Sequence, residues 1–313
     1  MALRTRGPAD PGSGTGALSV PGDSLFGMEA EQLLRAVSPL AWPDSAELVC
    51  AEPGHRPGHT CLPVPDGTNS SDVLEVFGDW YGRPLTEESG LPAVLPCGEE
   101  ARWTHVWPFA GRWIAFGRGR SEDARSLLAV ARRPAPSLDG LPPDASWLDR
   151  LVAVTGRSSS GARDEVDWTA VESRLGTRLP NDYKRLHETF GEGLFDGFLN
   201  VHSPDDVIWH AEYAARVGQE PWEPHPPFPA PGGVLHWANN EHHQSFAWVT
   251  EGPDPDRWGL YATYEGPEEG IRFECTMTEF LFHQLTDPQH PFGVPAEVGA
   301  HWFQDHNEPE GGG

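Results

Sequence analysis

The alternation of apolar and polar positions divides the chain into short elements of both kinds. MEAEQLLRAV, from Met28, carries apolar positions at helical spacing. SSDVLEVFGDWYG, from Ser70, puts polar caps before an apolar face of Val73, Leu74 and Phe77. Between these two helices the chain through Pro65 reads as loop. GRWIAFGRG, from Gly111, reads as a strand closed by glycines, and SEDARSLLAVARR as the helix after it. In DEVDWTAVESRLG, Trp168, Val171 and Leu175 share one helical stripe, which Gly176 ends. LPNDYKRLHETFG then sets Leu179, Tyr183, Leu186 and Phe190 at spacings of four, three and four. Pro180 suits a first helical turn, Asp182 the positive helix start, and Gly191 the C-terminal cap. Lys184 and Glu188 stand where they can pair across one turn.

After Gly193 the period changes. LFDGFLNVHSPDDVIWH predicts a short strand, a loop and a helix that starts at Ser203-Pro204. VLHWA, QSFAWVT, RWGLYATYEG and IRFECT alternate or run continuously apolar, as strands of an antiparallel meander do. Thr276 and Glu279 complete a capping-box pattern ahead of a last helix faced with Phe280, Leu281 and Leu285. The expected class is α+β. Helices pack on a mostly antiparallel sheet, and a separate small α+β domain precedes them.

Boundaries follow from composition. Residues 1–24 are rich in Gly, Pro and Ser and read as a flexible leader, with no continuous apolar core of a signal peptide. Residues 25–135 form the small first domain. Residues 136–163, which include RRPAPSLDGLPPD's end, a short helical SWLDRLVAVTG and the SSSGARDE joint, form a linker. Residues 164–290 form the second domain, and 291–313 a tail. With 35 glycines and 32 prolines, regular elements are kept short throughout.

Charge sets limits on partners. Asp and Glu number 47 against 22 Lys and Arg, a formal charge of -25, which repels nucleic-acid backbones and attracts basic protein surfaces. Mean hydropathy is -0.48, and no run approaches the roughly 20 apolar residues of a membrane span. A reducing cytoplasm is the expected location. Cys50, Cys61, Cys97 and Cys275 form no CxxC pair, so no thiolate metal site is expected, while a Cys50–Cys61 disulfide stays open.

Other chemistry is sparse. His236, His242 and His243 lie near Glu241, with His210, His225 and Asp205 as outlying donors. Adjacent histidines on a strand point to opposite faces, so these read as loop and surface residues; no metal and no cofactor are expected. Ser245, His243 and Asp254 lack the ordered context of a nucleophile elbow. GRGRS, with Arg118 and Arg120, is not a phosphate loop. No catalytic residues are assigned. Thirteen tryptophans are the remaining surplus, with Trp209, Trp222, Trp237, Trp248 and Trp258 around the second sheet.

The order Trp168, Val171-Glu172, Leu175-Gly176, Leu179-Pro180, Asp182-Tyr183 and Phe190-Gly191 resembles the SMI1/KNR4, or SUKH, superfamily over about residues 164–285. LHWANNEHHQSFAWVTEGPDPDRW looks like that family's sheet segment. ANNEHHQS stands where many relatives carry a Gly-Asp-rich turn. The resemblance implies a non-catalytic binding module. Many bacterial relatives are immunity proteins that neutralise toxins, often nucleases, and the family carries no shared catalytic constellation.

The expected function is therefore an immunity-type, toxin-antitoxin-like protein that occludes a basic protein partner such as a nuclease. It is not expected to bind nucleic acid directly or to bind a membrane. The expected contacts are Trp237, Asn239, Asn240, Glu241, Asp254, Asp256 and Trp258. The expected scaffold is Trp168, Leu175, Leu179, Pro180, Tyr183, Leu186, Phe190 and Gly191. A structural or regulatory adaptor and a metal-dependent hydrolase are the alternatives.

Overall fold

The computed structural model describes residues 25–42, 46–51, 55, 57–92, 95, 101–119, 125–157, 165–217, 225–264, 270–295 and 300–306. The leader, most of the SSSGARDE joint, Cys97, Arg120 and Trp222 lie outside these residues. The chain is α+β, with two antiparallel sheets.

The first sheet has the order β1-β4-β3-β2, built from β1 (His59–Pro63), β2 (Ala101–Phe109), β3 (Arg112–Gly119) and β4 (Ser126–Arg132). Helices α1 (Leu25–Ala41) and α2 (Ser70–Tyr81) supply its apolar cover. The Asn69 side chain accepts from Ser71 N and caps α2, so Val73, Phe77 and Tyr81 recur on one buried face. SLLAVAR is a strand, not the helix its composition predicted. Leu128 and Val130 enter the cluster beneath the helices, while Leu127 and Ala129 meet Trp103, Val106 and Ala115 on the other side. A central strand buried on both faces shows no alternation, so the run carries no period that marks it as a strand. β1, an edge strand in the segment expected as loop, gives little apolar signal in its HTCLP sequence.

The second sheet follows the order β10-β9-β8-β7-β6-β5-β11. Its strands are β5 (Gly193–Phe195), β6 (Leu199–Val201), β7 (Val234–Asn240), β8 (Ser245–Val249), β9 (Leu260–Thr263), β10 (Gly270–Phe273) and β11 (Phe303–Asp305). Helices α3 (Trp147–Thr155), α4 (Trp168–Leu175), α5 (Asn181–Phe190), α6 (Pro204–Val217) and α7 (Met277–Thr286) accompany it. Leu175, Leu179, Tyr183, Leu186 and Phe190 are buried in one core with Trp237, Phe246, Trp248 and Phe280, and half-buried Trp168 packs against it. The Tyr183 hydroxyl donates to His202 O at 2.9 Å, so its polar end is satisfied inside. Pro180 occupies the N-cap position of α5, and Gly191 ends the helix with its N–H on His187 O.

Three sequence expectations change here. Lys184 pairs with Glu172 of α4, whose carboxylate also takes Leu179 N, and Glu188 instead accepts the Trp168 indole at 3.2 Å. The linker helix α3 belongs to the second core: Ser146 and Asp149 cap it reciprocally, and Trp147 lies 5.4 Å from the Phe282 ring. The segment read as a tail buries Phe292, Trp302 and Phe303 and supplies β11.

β11 also joins the two sheets' surroundings. Arg83 N donates to Asp305 O at 2.7 Å, and the Gln304 amide to Trp80 O at 3.0 Å. Two glycines make room for it. A Cβ at Gly82 would lie 2.5 Å from Asp305 O, and one at Gly193 2.0 Å from Gln304 O. Buried Arg133 completes the joint by donating to Ala110 O, Thr155 O and His301 O. Arg157 pairs with Asp305 at 2.8 Å while lying over the Phe303 ring.

Candidate functional site

The expected contact residues separate into two groups. Trp237 is fully buried, because alternation along β7 sends it into the core against Phe246, Trp248 and Phe280. Trp258 is buried too, its indole donating to Gly252 O at 3.3 Å across the loop it closes. Asn240 is buried and shapes the β7–β8 turn: its Oδ1 accepts from His242 N and Gln244 N, and its amide donates to Gln244. It thereby holds ANNEHHQS in a tight turn without the Gly-Asp pair, with His243 taking the positive φ of 57°. Asp256 is exposed yet engaged, accepting from Asn181 N at 2.7 Å and from the Asn181 amide at the start of α5. These four are structural residues. Glu241 and Asp254 are exposed and Asn239 is half-buried, so these three still face or border solvent.

The aromatic surface lies elsewhere, on α6. Trp209 is 53% exposed and Tyr213 41%, one turn apart, and their rings stack at 5.1 Å and 15°. The Arg216 guanidinium sits 5.6 Å over Tyr213 and extends the ladder. Exposed Asp205 and Asp206 open the helix, and Ser203 caps it through Asp206 N. Glu212 flanks the stack and is held by Arg174 at 2.7 and 3.0 Å. Nothing in the sequence separates Trp209 from the other tryptophans. Only the rotation of α6 exposes it, as Val207, Ile208 and Ala211 turn toward the core.

Behind that helix lies a stack of imidazoles. The His202 and His210 rings are 4.5 Å apart and 10° from parallel, with His236 5.9 Å beyond His210. Burial depresses His202 and His236 to about 3, with the charge of His210 lowering both further, and burial also lowers His210. His187, whose ring nitrogen meets His202 O at 3.0 Å, is lowered to about 4 by burial. All four are neutral at pH 7. The adjoining cavity of about 10 Å³ holds no more than one water.

Among the described residues no hydrogen bond joins Ser245, His243 and Asp254. Asp196, fully buried, accepts from the His301 ring at 2.7 Å and from Trp302 N at 2.9 Å, a pairing that fastens the approach to β11. Asp182, raised by burial, accepts from Thr278 N and Oγ1 and so caps α7.

Among the described residues, side chains able to ligate a metal meet in one place, away from His236, His242 and His243, where no metal was expected either. Among the described residues, Cys50, His55, His59 and Cys61 form the single group of three or more potential ligands within reach of one ion. Their ligand atoms all lie within 4.8 Å of one another. His55 Nδ1 is 3.2 Å from Cys50 Sγ, 3.4 Å from His59 Nε2 and 3.6 Å from Cys61 Sγ. Both cysteines are thiols, so the disulfide left open by the sequence is not formed. Spacing hid the group, because Cys50 and Cys61 form no CxxC pair and the HxxxH of His55 and His59 does not lie on a helix, where that spacing would put both rings on one face.

No family model, curated protein or solved structure matches this chain. No helix of the described residues is long and apolar enough to cross a membrane.

Proposed function

We propose that the chain is a non-catalytic protein-binding module of the SMI1/KNR4 type, an immunity-type protein that occludes a basic toxin such as a nuclease. The observation that carries this reading is the exposed Trp209–Tyr213–Arg216 ladder on α6, set among Asp205, Asp206 and Glu212. Trp, Tyr and Arg are the residues that most often dominate binding energy at protein interfaces. A chain charge of -25 adds long-range attraction for a basic partner. Glu241 and Asp254 are further acidic groups open to solvent.

The test is co-expression with a toxin encoded beside this chain's gene. Protection of the host from growth arrest is the expected outcome. Trp209→Ala with Tyr213→Ala should weaken toxin binding by about 30-fold or more, at hot-spot magnitude, without unfolding the chain. The association rate should fall as salt rises. Protection by a chain that forms no complex with the toxin would overturn the reading.

A second reading as a two-sided adaptor has its own support. A groove of about 530 Å³ between α1 and α2 is lined by Leu34, Val76, Glu31, Arg35, Asp79 and Trp80, and Trp80 is 63% exposed. An adaptor would bind partners through both faces independently, so Trp80→Ala would leave toxin binding untouched while removing a second partner.

A further inference from the structure

We propose that Cys50, His55, His59 and Cys61 are a structural zinc site that pins the chain before β1 onto the edge of the first sheet. Zinc in a closed tetrahedral site takes thiolates at about 2.3 Å and imidazole nitrogens at about 2.0–2.1 Å. Those bond lengths put neighbouring ligand atoms about 3.3–3.8 Å apart along the edges of the tetrahedron. The three contacts around His55 Nδ1, at 3.2, 3.4 and 3.6 Å, fall at or near this range.

An imidazole nitrogen offers one N–H or one in-plane lone pair, and so serves a single partner well. Here two sulfurs and a second ring nitrogen crowd the same atom. A cation at their centre gives all four groups a common partner.

The fold positions the ligands before any ion arrives. His59 and Cys61 are two residues apart on β1, so both side chains leave the same face of the strand. In register, His59 lies beside Ala131 and Cys61 beside Ala129 of β4. Thr60 Oγ1 donates to Val49 O at 3.2 Å, which lays residues 46–51 along β1 and brings Cys50 into place. His55 lies between them in the sequence. His59 is buried and the other three are half-buried, leaving the site shielded yet close enough to solvent for an ion to enter.

The donor set selects the metal. Two thiolates and two imidazoles favour zinc over magnesium or calcium, which take oxygen ligands. Four protein ligands leave no open position for substrate water, so the site is structural. Binding at neutral pH displaces the two thiol protons to solvent, and the filled site, Zn²⁺ with two thiolates and two neutral imidazoles, carries no net charge. The location makes sense of the need. β1 is an edge strand with one neighbour, and residues 46–51 beside it have no regular structure. A small sheet with limited core gains most from such a cross-link.

The experiment uses the full reduced chain, stripped of metal by a chelator and titrated with Co²⁺. The expected result is the visible spectrum of a tetrahedral centre with thiolate-to-cobalt charge transfer, saturating at one ion per chain and erased by an equivalent of Zn²⁺. Cys50→Ser and Cys61→Ser should each weaken cobalt binding by at least about 100-fold. Cys275→Ser, whose thiol lies on the second unit, should bind as the unaltered chain does. No tetrahedral spectrum from the unaltered chain at micromolar cobalt would overturn the site, independently of how any variant folds. Equal loss in Cys275→Ser would overturn the assignment of its ligands.

Discussion

The two sheets are stabilised on different scales. The second closes a continuous aromatic core in which Tyr183, Trp237, Trp248 and Phe280 contact one another or common neighbours. The first divides its apolar side chains between two smaller clusters, one under α1 and α2 and one on the opposite face. Burial of large rings can hold the second unit without help, whereas the edge of the first is where a Cys/His cluster gathers. Size of core and need for a cross-link run in opposite directions in one chain.

The strongest challenge to this contrast is Tyr183→Ala. It removes a fully buried ring, an edge contact with Trp248 at 5.1 Å and a hydrogen bond to His202 O, and should cost about 4 kcal/mol. Denaturant titration followed by circular dichroism reads it. The loss should fall on the second unit, leaving cobalt binding by the first intact. A midpoint unchanged from the parent would show that the aromatic core is not what holds this unit.

Arg133→Ala addresses the joint between the units. It strips three backbone carbonyls of a buried guanidinium donor, for an expected cost of about 3 kcal/mol. Calorimetry should then show the two units melting separately where the parent melts once. A single transition at the parent temperature would mean that β11 alone couples them.

Taken one histidine at a time, acid gives the smallest and most selective effect. His187 has a folded pKa of about 4 against 6.5 unfolded, so the unfolded chain binds the proton more readily. The stability of the neutral form is complete above pH 6.5, is lost as pH falls, and levels off below pH 4. At pH 5 the loss from His187 is about 2 kcal/mol, and His202 and His236, at about 3, add to it in the same direction. Nearby Asp206 opposes the shift at His187 and His210. Hydrogen exchange at pH 5 should show β6, β7 and α6 opening while β1 to β4 remain protected by comparison. His187→Gln should make the profile shallower by the share His187 contributes; a slope unchanged by that substitution would remove His187 as one of its sources.

Legibility from sequence follows the same division. α5 was readable because Leu179, Tyr183, Leu186 and Phe190 obey one period and Gly191 ends it. The meander was readable from short apolar runs bounded by turns. β4 was not, because LLAVA is buried on both faces and has no period to read. Trp237 and Trp209 look alike in one dimension, and only packing sends one inside and leaves the other in solvent. The Cys/His group was invisible because its proximity comes from β1 lying against residues 46–51, a contact that local spacing does not encode.

β11 has a consequence for synthesis. It follows every other element of the described residues, so β5 remains an open sheet edge until residues 300–306 have left the ribosome. Through that interval a nascent chain exposes unpaired backbone that another strand can capture. Gly82 and Gly193 hold the slot for the late arrival.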